Sequence, residues 1–327
     1  MKILSTLLDD TLELLVVPSF GRSGYAIRRR LFAWDDPGAW SLAGRTVVLT
    51  GPTSGLGREA AGAFARMGAR LVLVGRDGAR LDAVRVALIA ETRNEAITTV
   101  VADMSSLASV RAAADAILAA EPRIDVLVDN AGAMFAERAL TQEGFEGTFA
   151  TMVLGPFVLL ARLAPRLAES GEGRVVAVTS GGMYTQALPL DDLAFEVGEY
   201  DGPRAYARAK RAQVALVREW ARRLRPSGVV VNAMHPGWAD TPGLAASLPA
   251  FRDRLASLLR TPAEGADTIL WLAASPDARR LTGRLFLDRR SRPFDRVPST
   301  RLSAEDRLEL WDRVAALTGE TGPAPRR

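Results

Sequence analysis

Tyr206 and Lys210 stand four residues apart in the run Tyr206-Ala207-Arg208-Ala209-Lys210. On a helix that spacing stacks phenol and ammonium on one face. A free phenol titrates at about 10, and a neighbouring ammonium favours the phenolate and moves the group toward neutrality. Such a pair can donate a proton to a carbonyl oxygen or take one from an alcohol. Both residue types are scarce here. The lysines are Lys2 and Lys210, and the tyrosines are Tyr25, Tyr184, Tyr200 and Tyr206, in a chain that otherwise uses arginine. A lysine kept at 210 against that background reads as a chemical requirement.

A second cluster binds rather than reacts. Gly51, Gly55 and Gly57 lie in Thr50-Gly51-Pro52-Thr53-Ser54-Gly55-Leu56-Gly57, between an apolar β-branched run and a helical pattern. Small residues at such a turn let backbone approach a pyrophosphate, and the helix N-terminus offers free N–H groups to an anion. The next strand ends Val74-Gly75-Arg76-Asp77. An acid at the position of Gly75 would bond ribose hydroxyls. A guanidinium at Arg76 suits a 2′-phosphate by charge and fork geometry. The expected cofactor is therefore NADP(H), with Arg58 adding positive potential and Asp77 capping the following helix.

These residues need a scaffold that puts loop and helix together. Short apolar runs recur at Thr46–Leu49, Leu71–Val74, Thr98–Val101, Val126–Val128, Val175–Val178, Val229–Val231 and Leu285–Leu287, with helical patterns between them. Runs without a polar alternation are buried on both faces, as in a parallel sheet. The expected fold is α/β, a doubly wound, Rossmann-type parallel sheet with helices on both faces. It divides as an N-terminal helical extension over 1–43, the main domain over 44–290, and a tail over 291–327. That tail carries a helix through Leu308, Leu310, Trp311, Val314 and Leu317 and frays over 322–327.

The Thr-Gly-x-x-x-Gly-x-Gly spacing and the Tyr-x-x-x-Lys pair together resemble the short-chain dehydrogenase/reductase family over about residues 44–290. Within it, Ser23-Gly24-Tyr25, Thr179-Ser180-Gly181-Gly182-Met183 and Met234-His235-Pro236-Gly237-Trp238-Ala239-Asp240-Thr241 are most similar to the member-12 type. The resemblance implies a catalytic set of Ser180, Tyr206 and Lys210, with Ser180 bonding the substrate oxygen. It implies that the cofactor is held by Gly51, Ser54, Gly55, Leu56, Gly57, Arg76, Asp103, Met104, Asn130, Ala131, Gly132, Tyr206, Lys210, Pro236, Gly237 and Thr241. Two positions depart from the family pattern. Asp129 stands where Asn is more usual, with little effect expected. Met152 replaces an Asn that, in the family, helps hold a water linking the lysine to solvent, and a thioether holds water poorly. That departure keeps open a second reading, a nicotinamide-binding sensor or scaffold with weak catalysis.

Composition narrows the rest. Cysteine is absent and His235 is the one histidine, so disulfides, thiolate nucleophiles and clustered metal sites are excluded and no metal is expected. A reducing, cytoplasmic location fits. Net charge is +4, from 42 basic and 38 acidic residues, which suits a mildly basic enzyme rather than a nucleic-acid binder. The basic stretches at Arg28–Arg30 and between Arg279 and Arg296 read as solvated faces. Leu4, Leu7, Leu8, Leu12, Leu14 and Leu15 follow helical spacing, interrupted by Asp9, Asp10 and Glu13. They read as a helix packed on the main domain; the alternative is weak peripheral membrane contact through residues 1–30. Met183, Tyr184, the stretch 185–204, Trp238, Leu244, Leu248 and Phe251 are expected to frame a hydrophobic carbonyl or alcohol. A homodimer through the helix carrying Tyr206 is what the resemblance implies.

Overall fold

The computed structural model describes residues 2–323, with only the backbone of Lys2 and Ile3. Three short helices come first, α1 (Lys2–Leu14), α2 (Val16–Phe20) and α3 (Arg22–Leu31). Strands and helices then alternate: β1 (Thr46–Thr50), α4 (Gly55–Arg66), β2 (Arg70–Gly75), α5 (Gly78–Thr92), β3 (Ile97–Val101), α6 (Leu107–Ala120) and β4 (Val126–Asp129). A helix follows in three parts, α7 (Gly147–Phe149), a π-helical turn (Ala150–Leu154) and α8 (Gly155–Glu169). After β5 (Arg174–Val178) come α9 (Gly202–Leu224), β6 (Val230–Met234), α10 (Pro242–Ser247), α11 (Pro249–Leu255) and α12 (Pro262–Ala274). A hairpin of β7 (Leu285–Leu287) and β8 (Arg290–Arg292) precedes α13 (Ala304–Thr318).

The strands form one sheet in the order β3-β2-β1-β4-β5-β6-β7-β8, parallel except for the last. The order reverses between β1 and β4, which opens a crevice at their carboxyl ends. Each strand sends alternate side chains to opposite layers. Val48, Leu127, Val175 and Ala177 join the core under α6, α8, α9 and α13. Val47, Leu49, Val126, Val128, Val176 and Val178 join the core under α4 and α12. The expected doubly wound fold is the observed one. The sixth strand sits slightly later than its apolar run. β8 is additional: Arg290-Ser291-Arg292 carries no apolar residue, so nothing in it reads as strand.

The β7–β8 turn is Asp288-Arg289, with φ +55° at both residues. A two-residue hairpin needs that conformation, which usually falls to Asn or Gly. Here buried ion pairs hold it. Asp288 bonds Arg28 and Arg260, and Arg289 forks onto Asp267 at 2.6 and 2.8 Å.

Those pairs correct the reading of the two arginine stretches in part: Arg29, Arg30, Arg279, Arg280 and Arg284 are exposed as expected, whereas Arg28, Arg289 and Arg292 are buried. Arg28 is fully buried, as Arg260 and Asp288 are to within 1%. Arg28 meets Asp9, Glu13 and Asp288 at 2.7 Å each, and Arg292 adds a 2.8 Å bond to Asp9. The N-terminal extension is thus fastened by its charges. Asp9 points inward, while Leu4, Leu7, Leu8, Leu14 and Leu15 are exposed by half or more. The helix does pack on the main domain, but with the face opposite to the one its leucines suggest. Periodicity identifies two faces and does not say which is inside.

At the other end α13 lies on α8 and α9. Trp311 meets Phe157 and Trp220 with ring centroids 4.9 and 4.6 Å apart. Leu310 and Val314 are buried with it, whereas Leu308 and Leu317 face solvent. The Pro323 carbonyl accepts a bond from Arg223. The expected fraying otherwise concerns residues 324–327, outside the described ones. Gly147–Glu169, long and apolar enough to cross a membrane, is 83% buried and serves as a core helix.

Candidate active site

β1 delivers its chain into the glycine loop at the crevice. Gly51 has φ +68° and Gly55 φ +53°, conformations that L side chains adopt with strain. At Gly57 a Cβ would lie 2.0 Å from the Gly51 carbonyl oxygen, so only hydrogen fits. Ser54 occupies the N-cap of α4 but makes no side-chain cap, leaving the first N–H groups of that helix unpaired. Loop and helix terminus together form the kind of cradle a pyrophosphate requires. Leu56 is half-buried and lies against Gly265 of α12.

The end of β4 ties this loop down. The Thr50 hydroxyl accepts the N–H groups of Asn130 and Ala131 at 3.0 and 2.9 Å. The Asn130 amide donates to the carbonyls of Thr50 and Gly51, both at 3.0 Å. Asn130 therefore shapes the loop. Gly132 comes next, where an added Cβ would lie 3.7 Å from Lys210 Nζ and 3.5 Å from Met152 Sδ. Loop, lysine and Met152 are neighbours.

The remaining cofactor candidates ring the same crevice. Arg76 is exposed at the end of β2 and engages no carboxylate among the described residues. Asp77 caps α5 through the Arg80 N–H, as its position suggests. Arg58 does not add free positive potential: it pairs with Glu91 at 2.6 Å. Asp103 Oδ1 is taken by Ser105. Met104 is buried, with its carbonyl against Gly155. Across the crevice Thr241 touches Gly55 and caps α10 through the Leu244 N–H. The Pro236 carbonyl accepts from Arg260, and Gly237, at φ +71°, fits close against Arg260 and the Phe20 carbonyl.

The reacting groups converge from β5 and α9. Ser180 follows β5; its hydroxyl accepts the Gly182 N–H at 3.2 Å and is near enough to the Tyr206 phenol to influence its titration. Lys210 is buried and donates to the Val178 carbonyl at 2.8 Å and to Gln213 Oε1 at 3.3 Å. Its Nζ lies 5.8 Å from the centre of the Tyr206 ring. This corrects the expected drop of the phenol toward neutrality. Burial raises the Tyr206 phenol above its ordinary value, and only the nearby Ser180 hydroxyl pulls the other way. Lys210 in turn is pushed down by burial to about 8, with the Asp129 carboxylate opposing the shift.

Two framing residues are not where they were expected. Met183 and Tyr184 are buried, and the Tyr184 hydroxyl donates to the Pro293 carbonyl. They support the loop after Ser180 rather than line a pocket. Trp238, Leu244, Leu248 and Phe251 are half-buried along α10, α11 and the segment before them, with Trp238 and Phe251 edge to face at 5.3 Å. His235 is fully buried behind this wall. Burial pushes it down to about 3, so it stays neutral and takes no part in proton transfer.

Three participants escaped sequence reasoning. Phe20 of α2 reaches the floor of the site, its ring against Gly181 and 4.7 Å from His235, its carbonyl accepting the Trp238 N–H at 2.9 Å. Gln213 bonds Lys210 one helical turn on. Asp129, from which little was expected, accepts Gln213 Nε2 at 2.7 Å. Gln213 was open to discovery by its i+3 spacing from Lys210; a lone Phe in an N-terminal segment carries no such signal.

The chain is similar to known proteins over most of its length. The family described as enoyl-(acyl carrier protein) reductase matches residues 51–287. The dehydrogenase/reductase SDR family member 12 of Bos taurus is 38% identical over 301 residues, covering 90% of this chain and 94% of its own. Retinol dehydrogenase 14 of Homo sapiens is 34% identical over 310 residues, 89% and 90% of the two chains. The crystal structure of 3-ketoacyl-(acyl-carrier-protein) reductase from Brucella melitensis complexed with NADH superposes with a TM-score of 0.62 at 28% identity, covering 75% of this chain and 96% of that one. With its glycine cradle, its Ser180–Tyr206–Lys210 group and these relatives, the chain belongs to the short-chain dehydrogenase/reductase family of oxidoreductases.

Proposed function

We propose that the protein transfers hydride between NADP(H) and a hydrophobic carbonyl or alcohol. The observation that carries this is the convergence of Ser180, Tyr206 and Lys210 beside the glycine cradle. Bound nicotinamide would supply or accept the hydride. Tyr206 then gives its proton to the substrate oxygen in reduction, Ser180 orients that oxygen, and Lys210 provides the positive field. Arg76 supports the phosphorylated cofactor, because it is exposed at the crevice and Asp77 is already committed to α5. Trp238, Leu244, Leu248 and Phe251 support an apolar substrate.

The test is a fluorescence titration with NADPH and NADH, followed by turnover on a panel of apolar ketones and aldehydes. NADPH should bind more tightly, and Arg76→Ala should weaken it roughly 10- to 100-fold, a charge-assisted bond's worth, with NADH little changed. Tyr206→Phe should lower turnover by about 100-fold or more with cofactor binding retained. Tight cofactor binding with no turnover on any member would favour the sensor reading instead.

The outward leucines of α1, and Leu15 after it, support a further element of this reading, contact with an anionic lipid surface that presents apolar substrate. Leu4, Leu7, Leu8, Leu14 and Leu15 form the apolar side, and exposed Arg22, Arg29 and Arg30 follow on α3. Flotation with vesicles containing phosphatidylserine should be lost in a Leu7→Asp/Leu14→Asp variant; unchanged flotation, or none by the parent protein, refutes it.

A further inference from the structure

A buried ammonium needs a counter-charge close by, or it loses its proton. Lys210 sits in a ring of neutral groups. Val178 and Thr179 of the β5 segment offer a carbonyl and a hydroxyl, the latter turned to the Lys210 backbone carbonyl. The π-helical turn offers the Met152 thioether, and α9 itself Tyr206 and the Gln213 amide. The carboxylate acting on Lys210 is that of Asp129, at the end of β4.

The connection is direct. Lys210 Nζ donates to Gln213 Oε1 at 3.3 Å, and Gln213 Nε2 donates to Asp129 Oδ2 at 2.7 Å. The amide is oriented head to tail between the two charges, its oxygen toward the cation and its N–H toward the anion. Asp129 is 7% exposed, and its Oδ1 has no protein partner. A small, mostly apolar cavity of about 30 Å³ has Asp129, Gln213 and Met152 in its lining.

We propose that Asp129, acting through Gln213, is the counter-charge that keeps Lys210 a cation in this chain and so sets the upper pH limit of Tyr206 chemistry. The inference rests on the oxidoreductase reading for its functional meaning, though not for its measurement. It makes Asp129 and Gln213 positioning residues, and it joins the two departures from the family pattern: the carboxylate at 129 serves a lysine beside which a thioether at 152 holds water poorly.

The chain's two lysines make the test unusually clean. Protein labelled with ¹³Cε-lysine and carrying Lys2→Arg shows a single lysine resonance, that of Lys210. Its titration is followed by NMR in this background, in Asp129→Asn and in Gln213→Leu. The Asn variant keeps shape and removes charge; its lysine should lose its proton about one pH unit lower or more. Gln213→Leu should shift it in the same direction and serves as the readout should Asp129→Asn fail to fold. In a turnover assay the alkaline limb of the pH profile should move by the same amount. A Lys210 titration unmoved in the folded variants overturns the inference, whatever their activity. A shifted titration in a protein that turns over no carbonyl upholds the pairing and sinks only the oxidoreductase reading.

Discussion

His235 illustrates how burial alone assigns a role. Its ring lies between Phe20 and Tyr184, Nδ1 accepts the Gly237 N–H, and Nε2 has no partner. Held near 3 when folded and near the ordinary value when unfolded, it binds a proton in the unfolded chain first. Stability from this residue is therefore complete above pH 6.5 and falls as pH drops toward 3, by up to about 1.4 kcal/mol per pH unit. Denaturant melts of parent and His235→Phe between pH 7 and 4.5 should diverge by that slope, the variant being the flatter; parallel curves would place the ring in a more hydrated setting. At this scale the sequence was most legible where chemistry restricts residue type. Tyr206, Lys210 and the glycines can be replaced by nothing else, so their spacing exposed them. The i+3 spacing links Gln213 to Lys210, but its bond to Asp129 joins α9 to β4, which no local pattern records.

Among the elements, the buried ion cluster around Arg28 decides how the N-terminal helices sit. Its members come from α1, α3, the segment before α12 and the β7–β8 hairpin. Removing Arg28 leaves Asp9 with Arg292 and Asp288 with Arg260 but takes a shared cation from three carboxylates, and breaking such buried pairs costs about 3–5 kcal/mol. Arg28→Met should lower stability by that amount in a denaturant titration, and loosening of Phe20 should show as enhanced Trp238 solvent quenching; a loss below about 1 kcal/mol would mean that the cluster is hydrated. The same cluster explains why this region was the least readable. Strand β8 exists because Asp288 and Arg289 are locked in a turn by distant partners, and α1 faces as it does because Asp9 finds Arg28 and Arg292. The parallel strands needed no such context: their β-branched runs are buried on both faces and announce themselves.

For the whole molecule, α9 is the informative surface. From Ala205 to Ala221 it has no exposed residue, because α13 and the segment before it cover what the sheet does not. The pairing face that the family resemblance suggested is occupied by the chain's own C-terminal helix. We expect a monomer by sedimentation at micromolar concentration; a dimer would have to use another face. The inward-facing carboxylates of α1 have one more consequence, for anyone who would trim the protein toward the part that matches its family. Starting the chain at Gly44 would delete Asp9, Glu13, Arg28 and Phe20 together. Arg290, Arg292 and Arg296 would be left as an unneutralised basic scar, and the underside of the Ser180 loop would lie open to water. The first forty residues, read from the sequence as a helical extension, close the underside of the site, and a shortened protein found inactive would say nothing about the chemistry of the full one.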